Sequence, residues 1–313
     1  MCNGTIMDKL ISFSLPLMLS GILQLMFNAV DIVVVGRFSG SQSLAAVGST
    51  TALINVFTNL FIGISLGANV LAARFFAAGK SKEMSDTVHT SVTLALISGV
   101  VMAFVGLIFS RGALELMGTP ADVIGQSALY MKIYFLGMPF FMLYNYGAAI
   151  LRAVGDTKRP LIFLVVSGVV NAILNMILVI IFHLDVAGVA IATVISQMIS
   201  CILVIRCLCN SQTSYQLYFS KLRINKDYLK QIFQVGIPAG IQSTVINFSN
   251  ALLQSSVNSF GSIAMAGYTA ANNIFGFLYV AVNSVTQACM SFTSQNYGVR
   301  KFKRMDKVLI DCI

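Results

Sequence analysis

The chain has 313 residues, of which 57% are hydrophobic and 10% charged, with a mean hydropathy of +0.84. A soluble domain carries about 25% charged residues, so this composition excludes an ordinary water-soluble globule and indicates a polytopic membrane protein. The formal net charge of +9 does not point to a nucleic-acid partner, because no basic stripe accompanies an aromatic platform or a known binding motif.

Apolar runs near the roughly 20 residues that a helix needs to cross a bilayer predict eight spans. They lie at 11–35, 44–73, 88–110, 124–151, 160–183, 186–206, 230–256 and 265–295, with a ninth segment starting before Ile313. The short alternating segments of a membrane β-barrel are absent, which leaves helices to satisfy the backbone in lipid. The fold class expected is an all-α polytopic membrane protein. The first run is too long for the apolar region of a signal peptide, and no small-residue cleavage site follows it.

Lys and Arg set the orientation. Seventeen fall on the side of the N-terminus: Lys9, the group from Arg74 to Lys82, Arg152 with Lys158 and Arg159, the linker from Arg206 to Lys230, and the group from Arg300 to Lys307. Arg37 and Arg111 fall on the other side, and Lys132 lies near the outer end of the fourth span. The positive-inside rule then places the N-terminus in the cytoplasm of a multi-pass cell-membrane protein.

The sequence also repeats itself. Lys80 and Lys301, Lys82 and Lys303, and Met84 and Met305 are each 221 residues apart, and Pro16 and Pro238 are 222 apart. Six spans separate the two units, so both start on the same side, as in transporters built from parallel repeats. The expected organisation is a six-helix lobe over 1–208, a polar and basic linker over 209–228, and the first two spans of a second lobe over 229–313. A second unit of equal length would extend well past Ile313, so the chain reads as a truncated record or a naturally short relative.

Asp31 is the acid that sits inside a span, between valine and isoleucine; the others lie in loops or near span ends. A charge at membrane depth costs about 2.5–3.5 kcal/mol on insertion scales, so it normally faces a cavity or a partner. The alternative is a hydrated acid at the outer end of its helix. Asn171 and Asn175, four residues apart, share one helix face. At 1.5 Å per residue they lie roughly 17 and 23 Å beyond Pro160, while Thr193 lies roughly 9 Å below the opposite face. All three fall in the outer half of a core about 30 Å thick. A carboxylate, two amide carbonyls and a hydroxyl suit a hard cation or a proton relay. Interhelical hydrogen bonding is the competing reading for the asparagines.

Other patterns carry less. The cysteines Cys2, Cys201, Cys207, Cys209, Cys289 and Cys312 lack the spacing of a disulfide framework or a zinc site. Gly63-x-x-x-Gly67 and Gly236-x-x-x-Gly240 suit close helix packing. Asn247, Asn250 and Asn273, with Tyr144 in the aromatic-rich fourth span, are candidates for lining a substrate cavity.

Between the fourth and fifth spans runs Leu151-Arg152-Ala153-Val154-Gly155-Asp156-Thr157-Lys158-Arg159-Pro160-Leu161. This wording resembles the signature loop of the multidrug and toxic compound extrusion (MATE) family. The resemblance extends from about Leu10 to Ile313 through Pro16 with Asp31 beyond it, the Asn171/Asn175 pair, and Gly188-Val189-Ala190-Ile191-Ala192-Thr193. It implies the first eight of twelve spans of a two-lobe antiporter, in which a Na⁺ or H⁺ gradient drives export of bulky amphipathic organic cations. It further implies a coupling site for Na⁺ or a proton at Asp31, Asn171, Asn175 and Thr193, helix bending at Pro16, and no organic cofactor. Many relatives carry aspartate where Asn175 stands, so this site has one charge fewer. In the signature loop, Gly155-Asp156 supplies a turn, Pro160 starts the next helix, and Arg152 and Lys158 are placed to bond neighbouring helix ends.

Four other functions are less consistent with these residues than export. A flippase for a lipid-linked precursor wants intramembrane Arg or Lys to meet phosphate, and Lys132 alone is poor support. A membrane enzyme wants acids or histidines clustered at one depth, whereas His89 and His183 sit on opposite sides. A channel fits a two-unit repeat with one buried acid less well than alternating access does. An inactive fragment is the remaining alternative.

Overall fold

The computed structural model describes residues 1–258 and 262–312, apart from the side chains of 41, 52, 248, 251–252, 254–255, 257–270 and 272–274. The described residues are helical throughout, joined by short turns and one longer linker. The helices are α1 Ile6–Phe38, α2 Gly40–Ala77, α3 Ser81–Leu116, α4 Ile124–Leu136, α5 Met138–Ala153, α6 Lys158–Asn175, α7 Asp185–Cys209, α8 Lys226–Asn258, α9 Ser262–Gly298 and α10 Phe302–Cys312. Six of them are long and apolar enough to cross a membrane, or seven if the bent α4–α5 pair is one span. The helix at the expected seventh span, α8, has spanning length but is more polar, with amides along it. The expected ninth segment begins as α10, laid against α9 with Val308 buried.

Two spans are not single uninterrupted α-helices. The fourth is broken: α4 and α5 meet at 48°. Pro139, at the start of α5, has no N–H and its ring crowds the preceding turn, so a straight helix cannot run through it. The corner fits because α3 offers Gly99, where an added Cβ would lie 2.5 Å from the Pro139 Cα. The fifth span leaves α-helical geometry after Asn175 and runs as a π-helix over Met176–Ile181. It then reverses sharply into α7 through His183 and Asp185, both at positive φ (52° and 47°). The helix α1 runs on past Pro16. The Pro16 carbonyl there accepts a hydrogen bond from the Ser20 hydroxyl at 2.8 Å.

Between lipid-exposed helices the hydrophobic effect offers little, and close packing of small residues takes over. The glycine spacings in α2 and α8 are used in this way. A Cβ on Gly240 would lie 2.6 Å from the Leu60 carbonyl oxygen, and one on Gly236 2.5 Å from the Ile64 Cα. Gly63 and Gly67 face the same seam from α2. Next to it, α9 packs on α1 through Phe13 and Phe292, edge to face at 5.7 Å.

The linker is tied to α3 near the end of the bundle where the chain starts. His89, 2% exposed, engages the Ser85 carbonyl through Nδ1 at 2.6 Å. Its Nε2 accepts the Tyr218 backbone N–H at 3.1 Å, so the Nε2-unprotonated tautomer satisfies both contacts. The Thr90 hydroxyl accepts the Asn225 N–H at 3.2 Å, and Arg223 pairs with Asp86 at 2.7 Å. Replacing His89 with phenylalanine strands the Tyr218 N–H, a penalty of about 1–3 kcal/mol. Local opening sets cleavage of such a segment, so trypsin is expected to cut at Lys221 and Arg223 about tenfold faster. Wild-type cleavage rates would show that the linker is held elsewhere.

Candidate functional site

Close approach of α1 and α6 builds the site. Gly168 on α6 leaves room for the Phe27 ring; a Cβ there would lie 2.6 Å from its Cδ2. One turn beyond Phe27 stands Asp31. Asn171 and Asn175 stand three and seven residues beyond Gly168, on the same helix face. The antiparallel α7 brings Thr193 to that face.

The four residues form one directed network. The Asn175 Nδ2 donates to Asp31 Oδ1 and to Asn171 Oδ1 at 3.2 Å. Asn171 Nδ2 lies 3.5 Å from Thr193 Oγ1 as its donor, and Thr193 Oγ1 donates to the Val189 carbonyl at 2.9 Å. Asn171 and Asn175 are buried, at 5% and 0% exposure. The Asn175 Oδ1 is buried with no hydrogen-bond partner among the described residues. A buried amide oxygen without a donor is costly, and a cation or a proton-bearing group beside it would relieve that cost. Hard oxygens of this kind are the donor set that hard cations take. On the flank of the site, the Tyr130 and Tyr134 rings stack with centroids 6.2 Å apart, within electrostatic reach of Asp31.

The candidates for a substrate cavity are not brought together in the same way. Tyr144 is turned to the start of α6, where its hydroxyl donates to the Pro160 carbonyl at 3.1 Å. Asn247 donates to the Ser243 carbonyl of its own helix at 2.9 Å, and Asn250 is exposed. The side chain of Asn273 lies outside the described residues.

The signature loop makes the expected turn at Gly155, while its described contacts run through Arg159 rather than Arg152 or Lys158. Asp156 Oδ1 accepts the Arg159 backbone N–H at 3.1 Å, and the Arg159 guanidinium reaches its other oxygen at 3.2 Å. Gly155 takes the turn at φ 101°. Arg152 shows no described hydrogen bond and lines a narrow cleft with Asn69, Gln287 and Ser291. The loop's end instead receives the second unit: Gln295 Nε2 donates to the Ala153 carbonyl at 2.6 Å. Asn69 bridges the units a turn away, donating to the Ala149 carbonyl at 2.8 Å and accepting from the Ser291 hydroxyl at 3.1 Å. These seam residues were not among the expected candidates; their signal was a set of polar side chains within apolar spans.

A helical bundle that carries a half-buried carboxylate and buried amides in one unit, with a second unit closed against it at one end, has the architecture of a multi-pass membrane transporter. The chain belongs to the MatE family, whose profile matches residues 16–177 and 238–313. It is 33% identical over 306 residues to the probable multidrug resistance protein YoeA of Bacillus subtilis, covering 95% of this chain and 66% of that protein. To the multidrug export protein MepA of Staphylococcus aureus it is 23% identical, covering 98% of this chain and 68% of that one. A solved structure described as the outward-facing conformation of a multidrug resistance MATE family transporter superposes with a TM-score of 0.91 at 23% identity, covering 99% of this chain and 69% of that one. That likeness shows the fold. The chain thus spans about two thirds of the length of these relatives.

Proposed function

We propose that this chain supplies the first lobe and the start of the second in a secondary antiporter. It exports amphipathic organic cations from the cell, across the cell membrane, in exchange for Na⁺ or H⁺. The reading rests on one observation above others: the unpartnered Asn175 Oδ1 lies within the network of Asp31, Asn171 and Thr193. Asp31 provides the charge that a Na⁺ ion or a proton would neutralise. The three neighbouring side chains provide neutral oxygens and hold its position. The names of the relatives support multidrug efflux as the task. The basic residues at the N-terminal end of the bundle support a cytoplasmic N-terminus.

The coupling ion is separable by experiment. The protein is reconstituted in liposomes with a fluorescent organic cation, and transport is started by a Na⁺ gradient at equal pH or by a pH gradient without Na⁺. One of these gradients is expected to drive transport, and saturation with that ion identifies it. Transport that neither gradient accelerates would overturn the antiport reading.

A further inference from the structure

At the N-terminal end of the bundle, the tip of α2 meets the α9–α10 junction around a cleft of about 240 Å³. Arg74, Lys80 and Arg300 line it together with Phe75, Tyr297 and Phe302. The two sides come from equivalent places in the two sequence units. We propose that this cleft binds the phosphate headgroup of an anionic phospholipid, bridging the two units at the membrane surface.

Charge accounting carries the argument. Other basic groups nearby are committed: Lys301 Nζ donates to Cys2 O at 2.9 Å and Asn3 Oδ1 at 2.7 Å, Arg304 bonds the Gly4 carbonyl at 2.8 Å, and Arg223 pairs with Asp86. The two arginines facing the cleft have no such anchor among the described residues. Arg74 and Arg300 have no carboxylate partner among the described residues, and Lys80 shares Glu83 at 3.4 Å. No acidic side chain lines the cleft. The Arg74 guanidinium instead sits over the Tyr297 ring, 5.0 Å from its centroid, a cation–π contact that helps hold it at the cleft.

The rim selects a lipid over a free anion. Phe302 and Tyr297 are 55% and 46% exposed at the opening and touch edge to face at 6.2 Å. Exposed aromatic rings beside basic side chains at the ends of long apolar helices match the headgroup layer. Basic pockets between membrane helices are the sites that recognise anionic headgroups. The inference is independent of the coupling ion.

The test is native mass spectrometry of the protein in neutral detergent, titrated with phosphatidylglycerol or phosphatidylcholine. Wild type is expected to retain phosphatidylglycerol and not phosphatidylcholine. The R74Q/R300N double variant should bind it about tenfold more weakly. The single R300N variant should show a clear loss too. It is the safer change, because Arg300 sits at φ 58° and asparagine tolerates that conformation. The R37Q/R111Q variant, which removes equal charge at the other end, should bind as wild type does. Unchanged retention in R300N and in the double variant would overturn the site, as would equal uptake of phosphatidylcholine. Displacement of the lipid by inorganic phosphate at matched concentration would assign the cleft to a free anion and overturn the lipid assignment.

Discussion

Replacing Asp31 with asparagine is expected to abolish gradient-driven export while leaving the protein folded and inserted. The substitution keeps nearly the same volume. It also keeps an oxygen that can accept from Asn175 Nδ2, as Asp31 Oδ1 does now, so the contact between α1 and α6 survives. What is lost is the negative charge and the ability to take up a proton. A charge-assisted contact contributes about 1.5–3 kcal/mol, so binding of the coupling ion should weaken by roughly tenfold to a hundredfold. With no acid left inside the network, accumulation against a gradient should fall to the level of empty liposomes. Asn175→Ala offers a graded comparison: it removes two donated bonds but keeps the charge, and it should slow export without ending it. The measurement is dye efflux from liposomes, with yield and melting temperature as folding controls. Wild-type efflux from the Asp31→Asn protein would sink the coupling assignment.

The second large effect concerns the glycine seam. Gly67→Ala and Gly240→Ala each place a methyl group against the backbone of the opposite helix; at Gly67 it meets the Ile232 carbonyl and at Gly240 that of Leu60. Backbone cannot rotate out of the way as a side-chain end can, so α2 and α8 must separate. Overpacking of this kind costs about 1–3 kcal/mol per site. Both variants are expected to melt at lower temperature in detergent and to lose the closed contact between the units. Gly112→Ala tests the sign: that position is exposed on α3 with nothing within 4 Å of the added Cβ. Exchanging glycine for alanine in an open helix stabilises it by about 1 kcal/mol. If all three substitutions behave alike, close packing at the seam is not what holds α8 to α2.

The sequence carried a great deal of this. Apolar run lengths located every long helix, because a bilayer imposes its thickness on any chain that crosses it. Asp31 stood out because a lone acid in a valine-rich span is costly. The i, i+4 spacing of Asn171 and Asn175 already put both amides on one side of a helix. What stayed hidden depends on contacts between distant parts of the chain. Pro139 follows Gly137 by two residues, but the corner there needs Gly99 of another helix to receive it. Tyr144 looks like a cavity aromatic in one dimension, and only the return of the chain at Pro160 gives its hydroxyl an acceptor. His89 was read as a residue near a span end; its acceptor nitrogen acquires meaning from Tyr218, 129 positions away.

The π-helix after Asn175 has a consequence for how this membrane helix is wound. Hydrogen bonds there span one residue more than in an α-helix, so the last turn of the span is rotated by about 100° against the phase set before it. Asn171 and Asn175 keep the inward phase, whereas Ile181 and Phe182 come round to the outside, at 67% and 63% exposure. One surplus residue thus ends the inward stripe of the amides at the last turn of the span, where Ile181 and Phe182 face outward. In a continuous α-helix Phe182, seven residues beyond Asn175, would fall back onto the face that carries the amides.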